Sequence, residues 1–245
     1  MLKGGQALIT DASNKAAEVL AKRLEAEGVT VVRNYPEGFI KEEDKNNKLC
    51  VSYDTCSLVQ VEKLLADIIN KIGKINYLIH TDNVIFRGKV EDITEEDFKR
   101  IYNRNAKSAF LTSKVIGDYI ANNGGGSILF LSSVHDEKPT GCAFVYSLGR
   151  GAVKMLSKEL GLFYGRRGVR VNLIEMDIIK ENEEILDSDI SPFNYDAITK
   201  IPMRRYAQAE DFASTAVFLL SDEARFINGI EIRVDGGHIL YYGDR

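Results

Sequence analysis

The stretch from Ser127 to Ile174 reads SILFLSSVHDEKPTGCAFVYSLGRGAVKMLSKELGLFYGRRGVRVNLI and contains a complete strand–helix–strand pattern. Residues 127–131 and 169–174 are apolar runs of strand length, and the apolar spacing over 146–164 is helical. Two strands joined through a helix pair in parallel, because a crossover of this length is what parallel pairing requires. The stretch therefore predicts an α/β domain built on a parallel sheet.

The same alternation extends outward to both ends of the chain. Further strand-like runs occupy 7–9, 29–32, 49–53, 77–79 and 230–234, and further helical patterns occupy 14–27, 59–72, 95–122 and 211–220. Nearly continuous apolar strands indicate a sheet covered by helices on both faces. We expect residues 1–245 to form a single domain with a doubly wound, parallel, seven-stranded sheet of the Rossmann type. Its binding crevice should lie at the carboxyl ends of the strands.

Residues 176–205 depart from this alternation. They carry an acidic cluster followed by two prolines: Glu181, Glu183, Glu184, Asp187 and Asp189, then Pro192 and Pro202. Long connections inside a compact domain are usually functional loops, and this one follows the carboxyl end of a strand. We predict a substrate lid, with a solvated surface excursion as the alternative.

Composition limits the classes of partner. The 245 residues are 44% hydrophobic with a net charge of −4, so no basic field attracts nucleic acid or an anionic membrane. No apolar stretch approaches the roughly 20 residues that span a bilayer, and the early first strand leaves no room for a signal peptide. Three cysteines without a C-x-x-C pair indicate a reducing compartment, so we expect a cytoplasmic protein. The three histidines lack metal-ligand spacing, and no metal site is expected.

Several landmarks fall in an ordered series along the chain. Ser133 follows the strand at 127–131, Tyr146 comes thirteen residues later, Asn105 lies in the helical pattern before them, and Asp54 follows the third strand. The segments 169–172 (VRVN), 201–205 (IPMRR), 218–223 (FLLSDE) and 234–237 (VDGG) continue the series. Over roughly residues 3–240 this order resembles the short-chain dehydrogenase/reductase family, nearest to its 3-oxoacyl carrier-protein reductase branch.

The resemblance implies a catalytic set of Asn105, Ser133, Tyr146 and Arg150. A tyrosine has an ordinary pKa of about 10, and a cation four residues on lies on the same helical face and favours the phenolate. In a reductase the tyrosine gives its proton to a carbonyl oxygen as hydride arrives from a nicotinamide. Ser133 would bond that oxygen, and Asn105 would hold a water that relays protons.

Arg150 stands where the family has lysine. Arginine keeps the positive charge, but it is bulkier, planar and essentially never deprotonated. This change alone predicts reduced, not absent, activity.

The turn after the first strand differs more strongly from the family pattern. The family has glycines there, whereas this chain reads Thr10-Asp11-Ala12-Ser13-Asn14-Lys15-Ala16-Ala17. Such glycines allow a tight turn and close approach of a pyrophosphate. Thr10, Ser13 and Lys15 remain candidate cofactor contacts, but a carboxylate about 5 Å from a phosphate costs roughly 3 kcal/mol at an effective dielectric of 20. Asp11 is therefore a candidate replacement for the phosphate at a helix N-terminus, and the alternative is a turn that has changed shape.

Other predicted cofactor contacts lie after neighbouring strands. Arg33 and Asn34 end the second strand without the acidic residue that selects NAD, and either would suit a 2′-phosphate. Asp54 matches the family's adenine-contacting aspartate. NADP is thus favoured if a dinucleotide binds at all, although Asp82 and Asp177 add negative charge near the crevice.

Two main functions and one weaker one follow. The first is a family member with an eroded dinucleotide site, impaired or inactive in hydride transfer, that acts as a binding, regulatory or partner subunit. The second is an active NADPH-dependent carbonyl reductase using Ser133, Tyr146 and Arg150. The third is a dehydration or isomerisation that uses Tyr146 without a nucleotide. If the protein is active, the expected substrate is a small carbonyl or alcohol compound.

The resemblance also implies a homodimer or homotetramer formed through 95–122 and 146–164. A stripe in the first of these segments is compatible with an interface and equally with core packing: Ala109, Phe110, Thr112, Ser113, Ile116 and Ile120.

Overall fold

The computed structural model describes residues 2, 4–179 and 197–240. Seven parallel strands form one sheet in the order β3-β2-β1-β4-β5-β6-β7. They are β1 (Gly5–Ile9), β2 (Val29–Asn34), β3 (Cys50–Val51), β4 (Tyr77–His80), β5 (Gly126–Ser133), β6 (Val169–Met176) and β7 (Glu231–Val234). The order reverses between β1 and β4, which is where a doubly wound sheet opens its binding crevice. The predicted fold class is confirmed.

Helices cover both faces of the sheet. They are α1 (Lys15–Ala26), α2 (Leu58–Ile72), α3 (Glu95–Tyr102), α4 (Ser108–Thr112), α5 (Asp118–Asn122), α6 (Phe144–Gly165), α7 (Ala197–Lys200) and α8 (Ala209–Leu220). One core lies beneath α1 and α8 and includes Leu20 and Phe212. The other lies beneath α2, α4 and α6 and includes Leu64, Ala109 and Val153.

The helix predicted over 95–122 forms as one continuous helical segment that contains two wider turns. Thr94 caps its start through a capping box with Asp97, and π-helical turns at Asn103–Lys107 and Ser113–Gly117 separate α3, α4 and α5. A π turn holds one more residue than an α turn, so it shifts the side chains that follow it. The first of these turns contains Asn105.

The helix α6 packs closely against that π turn. A Cβ added at Gly149 would lie 3.0 Å from the Cβ of Asn105, which is tighter than ordinary van der Waals contact. Glycine at this position thus allows the segment that carries Tyr146 and Arg150 to approach Asn105.

The predicted lid at 176–205 lies largely outside the described residues, which omit 180–196. Before this gap, Ile179 forms a parallel bridge with Ala207. The lid stays a prediction. Within the described ranges, no helix combines the length and apolarity that a bilayer crossing requires.

Candidate functional site

A cavity at the carboxyl ends of β5 and β6 brings Ser133 and Tyr146 together. It encloses about 570 Å³ including its open mouth, and its walls are Asn83, Ile85, Arg87, Leu131, Ser132, Ser133, His135, Ala143, Tyr146, Met176, Asp177, Ile178 and Ile179. The Tyr146 hydroxyl donates to Asn83 Oδ1 at 2.9 Å. This mixture of apolar walls with a few polar groups is typical of small-molecule sites.

His135 adds a neutral imidazole to the same cavity. Its Nδ1 lies 3.0 Å from Ser133 Oγ, and its ring meets the Tyr146 ring edge-on at a centroid distance of 5.7 Å. Burial, followed by the charge of Arg87, lowers the pKa of His135 to about 4. At neutral pH the imidazole is therefore uncharged and can serve Ser133 as a hydrogen-bond partner. The family resemblance gave no signal for this residue.

Arg150 lies behind Tyr146 and is completely buried. Its guanidinium donates to the carbonyl oxygens of Leu131 at 3.0 Å and Asp82 at 2.9 Å, and to Asn105 Oδ1. Its Cζ is 5.3 Å from the centroid of the Tyr146 ring. Arg150 thus joins the ends of β4 and β5 behind the tyrosine, and it is not among the residues that line the cavity.

The amide of Asn105 is fully used within the chain. Its Nδ2 donates to the carbonyl oxygens of Val84 and Ile101, both at 2.9 Å, and its Oδ1 accepts from the Val84 N–H at 3.1 Å and from Arg150. An amide has two donors and two lone pairs. All four are occupied, which differs from the water-holding role that the resemblance implies. Asn105 here joins α3, the loop after β4 and α6.

The turn between β1 and α1 is organised around a buried carboxylate. Asp11 Oδ1 accepts from the Ser13 N–H at 3.0 Å and from the Ser13 hydroxyl at 2.5 Å. Asn14 caps α1 by accepting from the Ala17 N–H at 2.9 Å. Burial, and then the charge of Asp82, raises the pKa of Asp11 to about 6. The carboxylate thus accepts from a backbone N–H of the turn two residues before α1 begins, and its role as a phosphate replacement stays a prediction.

Arg104 connects this turn to the end of β4. One guanidinium nitrogen lies 3.6 Å from Asp11 Oδ2 and 3.6 Å from Asp82 Oδ1. The Thr55 hydroxyl donates to the same oxygen of Asp82 at 2.7 Å. We call Asp11, Asp82 and Arg104 the crevice ion cluster. Its members are as much as 93 positions apart in the sequence, and the pairing of Arg104 with the acids had no sequence signal.

The remaining predicted cofactor residues lie around this cluster and have partners of their own. Thr10 accepts from the Thr81 N–H at 3.0 Å, and Lys15 pairs with Glu18 at 3.5 Å. Arg33 pairs with Glu25 at 2.6 Å, and the exposed Asp54 accepts from the Cys56 N–H at 2.9 Å.

Asn34 is buried, and its amide joins two loops. It donates to the carbonyl oxygens of Thr10 at 2.8 Å and Tyr53 at 3.0 Å, and it accepts from the Tyr53 N–H at 2.9 Å. Contact with a 2′-phosphate would require these bonds to break. The residue therefore has a structural use that its position at the end of β2 did not reveal.

The two ends of the crevice differ in how they fit a nicotinamide dinucleotide. At one end, Ser133 and Tyr146 line an open cavity and fit a carbonyl or alcohol group beside a nicotinamide. At the other end, the Asp11 carboxylate already takes the Ser13 N–H, which does not fit a phosphate. The residues of the crevice therefore suit the reacting carbonyl or alcohol group better than they suit the pyrophosphate of a dinucleotide.

One acidic trio among the described residues has metal-like spacing. Oxygens of Asp136, Glu137 and Glu175 lie within 4.8 Å of one another. The ammonium of Lys154, however, lies 3.4, 2.5 and 2.7 Å from these three carboxylates in turn. The lysine supplies the cation, so the trio forms an ion-pair network around Lys154.

Comparison with known proteins settles the family. A family model described as enoyl-(acyl carrier protein) reductase matches residues 13–238. The chain belongs to the short-chain dehydrogenase/reductase family. It is therefore a member of an oxidoreductase family, as the order of its landmarks predicted.

Individual relatives match over nearly their whole length. Glucose 1-dehydrogenase 2 of Bacillus subtilis (strain 168) is 29% identical, with 98% of this chain and 96% of that protein covered. Meso-2,3-butanediol dehydrogenase of Serratia marcescens is 30% identical, with 94% and 92% covered. The gluconate 5-dehydrogenase of Burkholderia cenocepacia J2315, solved in complex with NADP and tartrate, has a TM-score of 0.86 at 22% identity, covering 98% of this chain and 97% of that one.

Proposed function

We propose that this protein binds a small carbonyl or alcohol compound in the cavity of Ser133 and Tyr146 and is impaired in ordinary NAD(P)-dependent hydride transfer. The observation that carries the proposal is the Asp11 carboxylate, which receives both the N–H and the hydroxyl of Ser13. An anion of the chain itself thus lies at the turn where a dinucleotide phosphate would need those donors. The protein would then act as a binding or regulatory member of the family.

Electrostatics supports this proposal. A phosphate placed about 5 Å from the Asp11 carboxylate is repelled by roughly 3 kcal/mol at an effective dielectric of 20, equivalent to about a hundredfold in affinity. Arg104 lies 3.6 Å from both Asp11 and Asp82 and offsets part of this repulsion, but one guanidinium and two carboxylates leave the crevice ion cluster with a formal charge of −1. Lys15 pairs with Glu18 on its own helix.

The residues that line the cavity support the binding of a carbonyl or alcohol. The hydroxyl groups of Ser133 and Tyr146 line the same cavity, and the neutral His135 orients Ser133. A substrate carbonyl oxygen would take the Tyr146 hydrogen bond in place of Asn83. Arg150 holds Tyr146 from behind and keeps water away from that side of the ring, since it is completely buried. A nicotinamide, when bound, would supply the hydride.

Calorimetric titration with NADPH and with NADH, at concentrations up to the millimolar range, tests this proposal. We expect no measurable heat of binding for the wild type and a measurable one for Asp11→Gly, because removal of the carboxylate should tighten the affinity by about a hundredfold. Asp67→Asn, at a half-buried position on α2 that pairs with Lys71, is the control for loss of one negative charge and should resemble the wild type. NADPH consumption by the wild type with a panel of ketones and 3-oxoacyl thioesters would refute the proposal.

The second candidate is an active NADPH-dependent carbonyl reductase using Ser133, Tyr146 and Arg150. Its support is that Ser133 and Tyr146 line one cavity and that the relatives above are named as dehydrogenases. The absence of an acidic residue at Arg33 and Asn34 favours NADP over NAD. The NADPH consumption assay with the same ketones decides between the two candidates.

Assembly into a homodimer or homotetramer is part of the proposal. Side chains on one side of α6 and on α4 are apolar and more than 50% exposed: Phe110, Leu148, Met155 and Leu162. The cytoplasmic location stays a prediction.

A further inference from the structure

Arg87 brings a positive charge to the cavity of Ser133 and Tyr146. It lies in the segment after β4 and is one of the residues that line the cavity. Among the charges that act on the pKa of His135, that of Arg87 has the largest effect. The imidazole of His135 lies 3.0 Å from Ser133 Oγ and meets the Tyr146 ring edge-on. The charge of Arg87 is therefore felt where a substrate oxygen would bind.

The guanidinium of Arg87 has no partner among the described residues. Neither an ion pair nor a hydrogen bond joins it to them. Its Nε is buried, but the two terminal nitrogens, Nη1 and Nη2, are not among the buried unpaired atoms and so reach open space. Arg150, by contrast, donates to three oxygens of the chain behind Tyr146. The terminal N–H groups of Arg87 are thus available to a ligand.

Asp177 is the one acid among the residues that line the cavity, and it does not cancel this charge. Its Oδ2 lies 2.8 Å from Nδ1 of His238, a residue beyond β7. Its charge also acts on the pKa of Lys138, in the segment between β5 and α6. On the pKa of His135, the effect of Arg87 exceeds the opposite effect of Asp177, and Lys138 acts in the same direction as Arg87. Arg87, Lys138 and Asp177 together carry a formal charge of +1.

These surroundings suit a ligand with one negative charge. A carboxylate carries one charge at neutral pH, and arginine binds it through two parallel hydrogen bonds. A doubly charged phosphate would be repelled more strongly by Asp177, and a wholly neutral ligand would leave the half-buried charge of Arg87 without a partner. The apolar part of the wall suits a short carbon chain, and it consists of Ile85, Leu131, Ala143, Met176, Ile178 and Ile179.

We infer that Arg87 binds the carboxylate of a small hydroxy acid or oxo acid, whose hydroxyl or carbonyl group lies at Ser133 and Tyr146. The inference rests on the proposed function, because it takes this cavity as the carbonyl or alcohol site. It goes further because it names the class of substrate and the residue that selects it.

Ligand-observed NMR without any dinucleotide tests the inference with two acids and their neutral amides. The pairs are lactate with lactamide and 3-hydroxybutanoate with 3-hydroxybutanamide, so the members of a pair share shape and hydroxyl and differ in charge. We expect the wild type to bind at least one acid about tenfold or more tightly than its amide, because hydrogen bonds between charged groups are worth that factor. Inorganic phosphate at the same concentration should not displace that acid.

Three variants show whether Arg87 causes the preference. Arg87→Gln removes the charge and should abolish the preference for the acid. Arg87→Lys keeps the charge but loses the planar pair of donors, so part of the preference should remain. Arg225→Gln is the control for loss of one positive charge. Arg225 is exposed and lines a groove at the amino ends of β5 and β6, so the variant should match the wild type.

The possible results separate this inference from the proposed function. If the wild type binds each acid and its amide equally, or if Arg87→Gln keeps the preference, the inference alone is overturned. Displacement of the acid by phosphate would overturn the assignment to carboxylates. If none of the four compounds binds, the carbonyl or alcohol site of the proposed function fails as well. If Arg87→Gln fails to fold, the wild-type preference and its reduction in Arg87→Lys still decide.

Discussion

Arg150 connects three parts of the site through a single planar group. The carbonyl oxygens of Leu131 and Asp82 and the amide oxygen of Asn105 surround its guanidinium, which has no exposure to solvent. A guanidinium presents its donors in a fixed fork, whereas a lysine ammonium is a compact charge on a flexible stem. Reaching acceptors on two strand ends and a helix at once therefore depends on arginine.

Arg150→Lys should lower the free energy of unfolding by about 1–3 kcal/mol, since at least one buried acceptor loses its donor. Urea denaturation of the variant and the wild type measures the change. Arg166→Lys, at the exposed end of α6, is the control and should stay within about 0.5 kcal/mol of the wild type. Equal stability of Arg150→Lys and the wild type would show that a lysine satisfies the same acceptors.

Asp11 should make stability depend on pH. Its pKa is raised from 3.8 to about 6 by burial and by Asp82, so the folded state holds its proton more tightly than the unfolded state does. The contribution of Asp11 is therefore full below about pH 4 and is lost as the pH rises through about 6. Two units of pKa correspond to roughly 3 kcal/mol.

The variant Asp11→Asn isolates this contribution. His80 and His135 act in the opposite direction, because burial lowers the pKa of each to about 4 and their stabilising effect grows as the pH rises from about 4 to 6.5. Both histidines remain in the variant and cancel in the difference. Urea denaturation at pH 4, 5, 6 and 7 should show the wild type losing stability relative to Asp11→Asn with rising pH. Parallel pH profiles would mean that Asp11 titrates normally.

At the scale of elements, α6 depends on a glycine where it crosses the first π turn. Alanine at an open helical position gains about 1 kcal/mol over glycine, and Gly151 has no atom within 4 Å of an added Cβ. At Gly149 the added Cβ would meet Asn105 at 3.0 Å and displace the amide that Arg150 and Val84 share. We expect Gly151→Ala to stabilise the protein and Gly149→Ala to be less stable than Gly151→Ala by at least about 1 kcal/mol.

Thermal and urea denaturation of the two variants and the wild type measure this difference in stability. A gain at both positions would show that the π turn yields to the methyl group.

The elements that sequence could predict are those set by local patterning. All seven strands fall on apolar runs, and no strand end shifts by more than two residues, as for β5, predicted at 127–131 and observed at Gly126–Ser133. The π turns escaped the prediction because an extra residue in one turn leaves the apolar spacing nearly helical over 95–122. The stripe in that segment illustrates the same limit: Ala109, Ile116 and Ile120 are buried in the core, whereas Phe110 is 51% exposed.

The site was predictable in part, for a related reason. Ser133 ends β5 and Tyr146 lies in the first turn of α6, and the family resemblance had already grouped the two residues. The crevice ion cluster joins the loops after β1 and β4 to the first π turn, and such a pairing depends on the folded sheet. His238 reaches Asp177 across a separation of 61 residues for the same reason.

For the molecule as a whole, an apolar stripe on α6 has no partner among the described residues that buries it. Leu148, Met155 and Leu162 recur every seven residues, which places them on one helical face, and they are 51%, 58% and 77% exposed. Phe110 on the adjacent α4 is 51% exposed. Contiguous exposed apolar side chains on a soluble domain mark interaction surfaces. A second copy of the chain can cover this stripe with the same stripe of its own, as a twofold interface requires.

Leu148→Glu combined with Leu162→Glu should therefore shift the protein from a dimer or tetramer to a smaller species, since two carboxylates per copy would meet two more across the twofold axis. Light scattering coupled to size-exclusion chromatography gives the mass of each species. Phe226→Glu is the control, because Phe226 is fully exposed in the segment between α8 and β7. Its mass should equal that of the wild type. A wild type that runs as a monomer would rule the interface out. A double variant with the same mass as the wild type would place the interface elsewhere. In either case the stripe would be an ordinary exposed helix face.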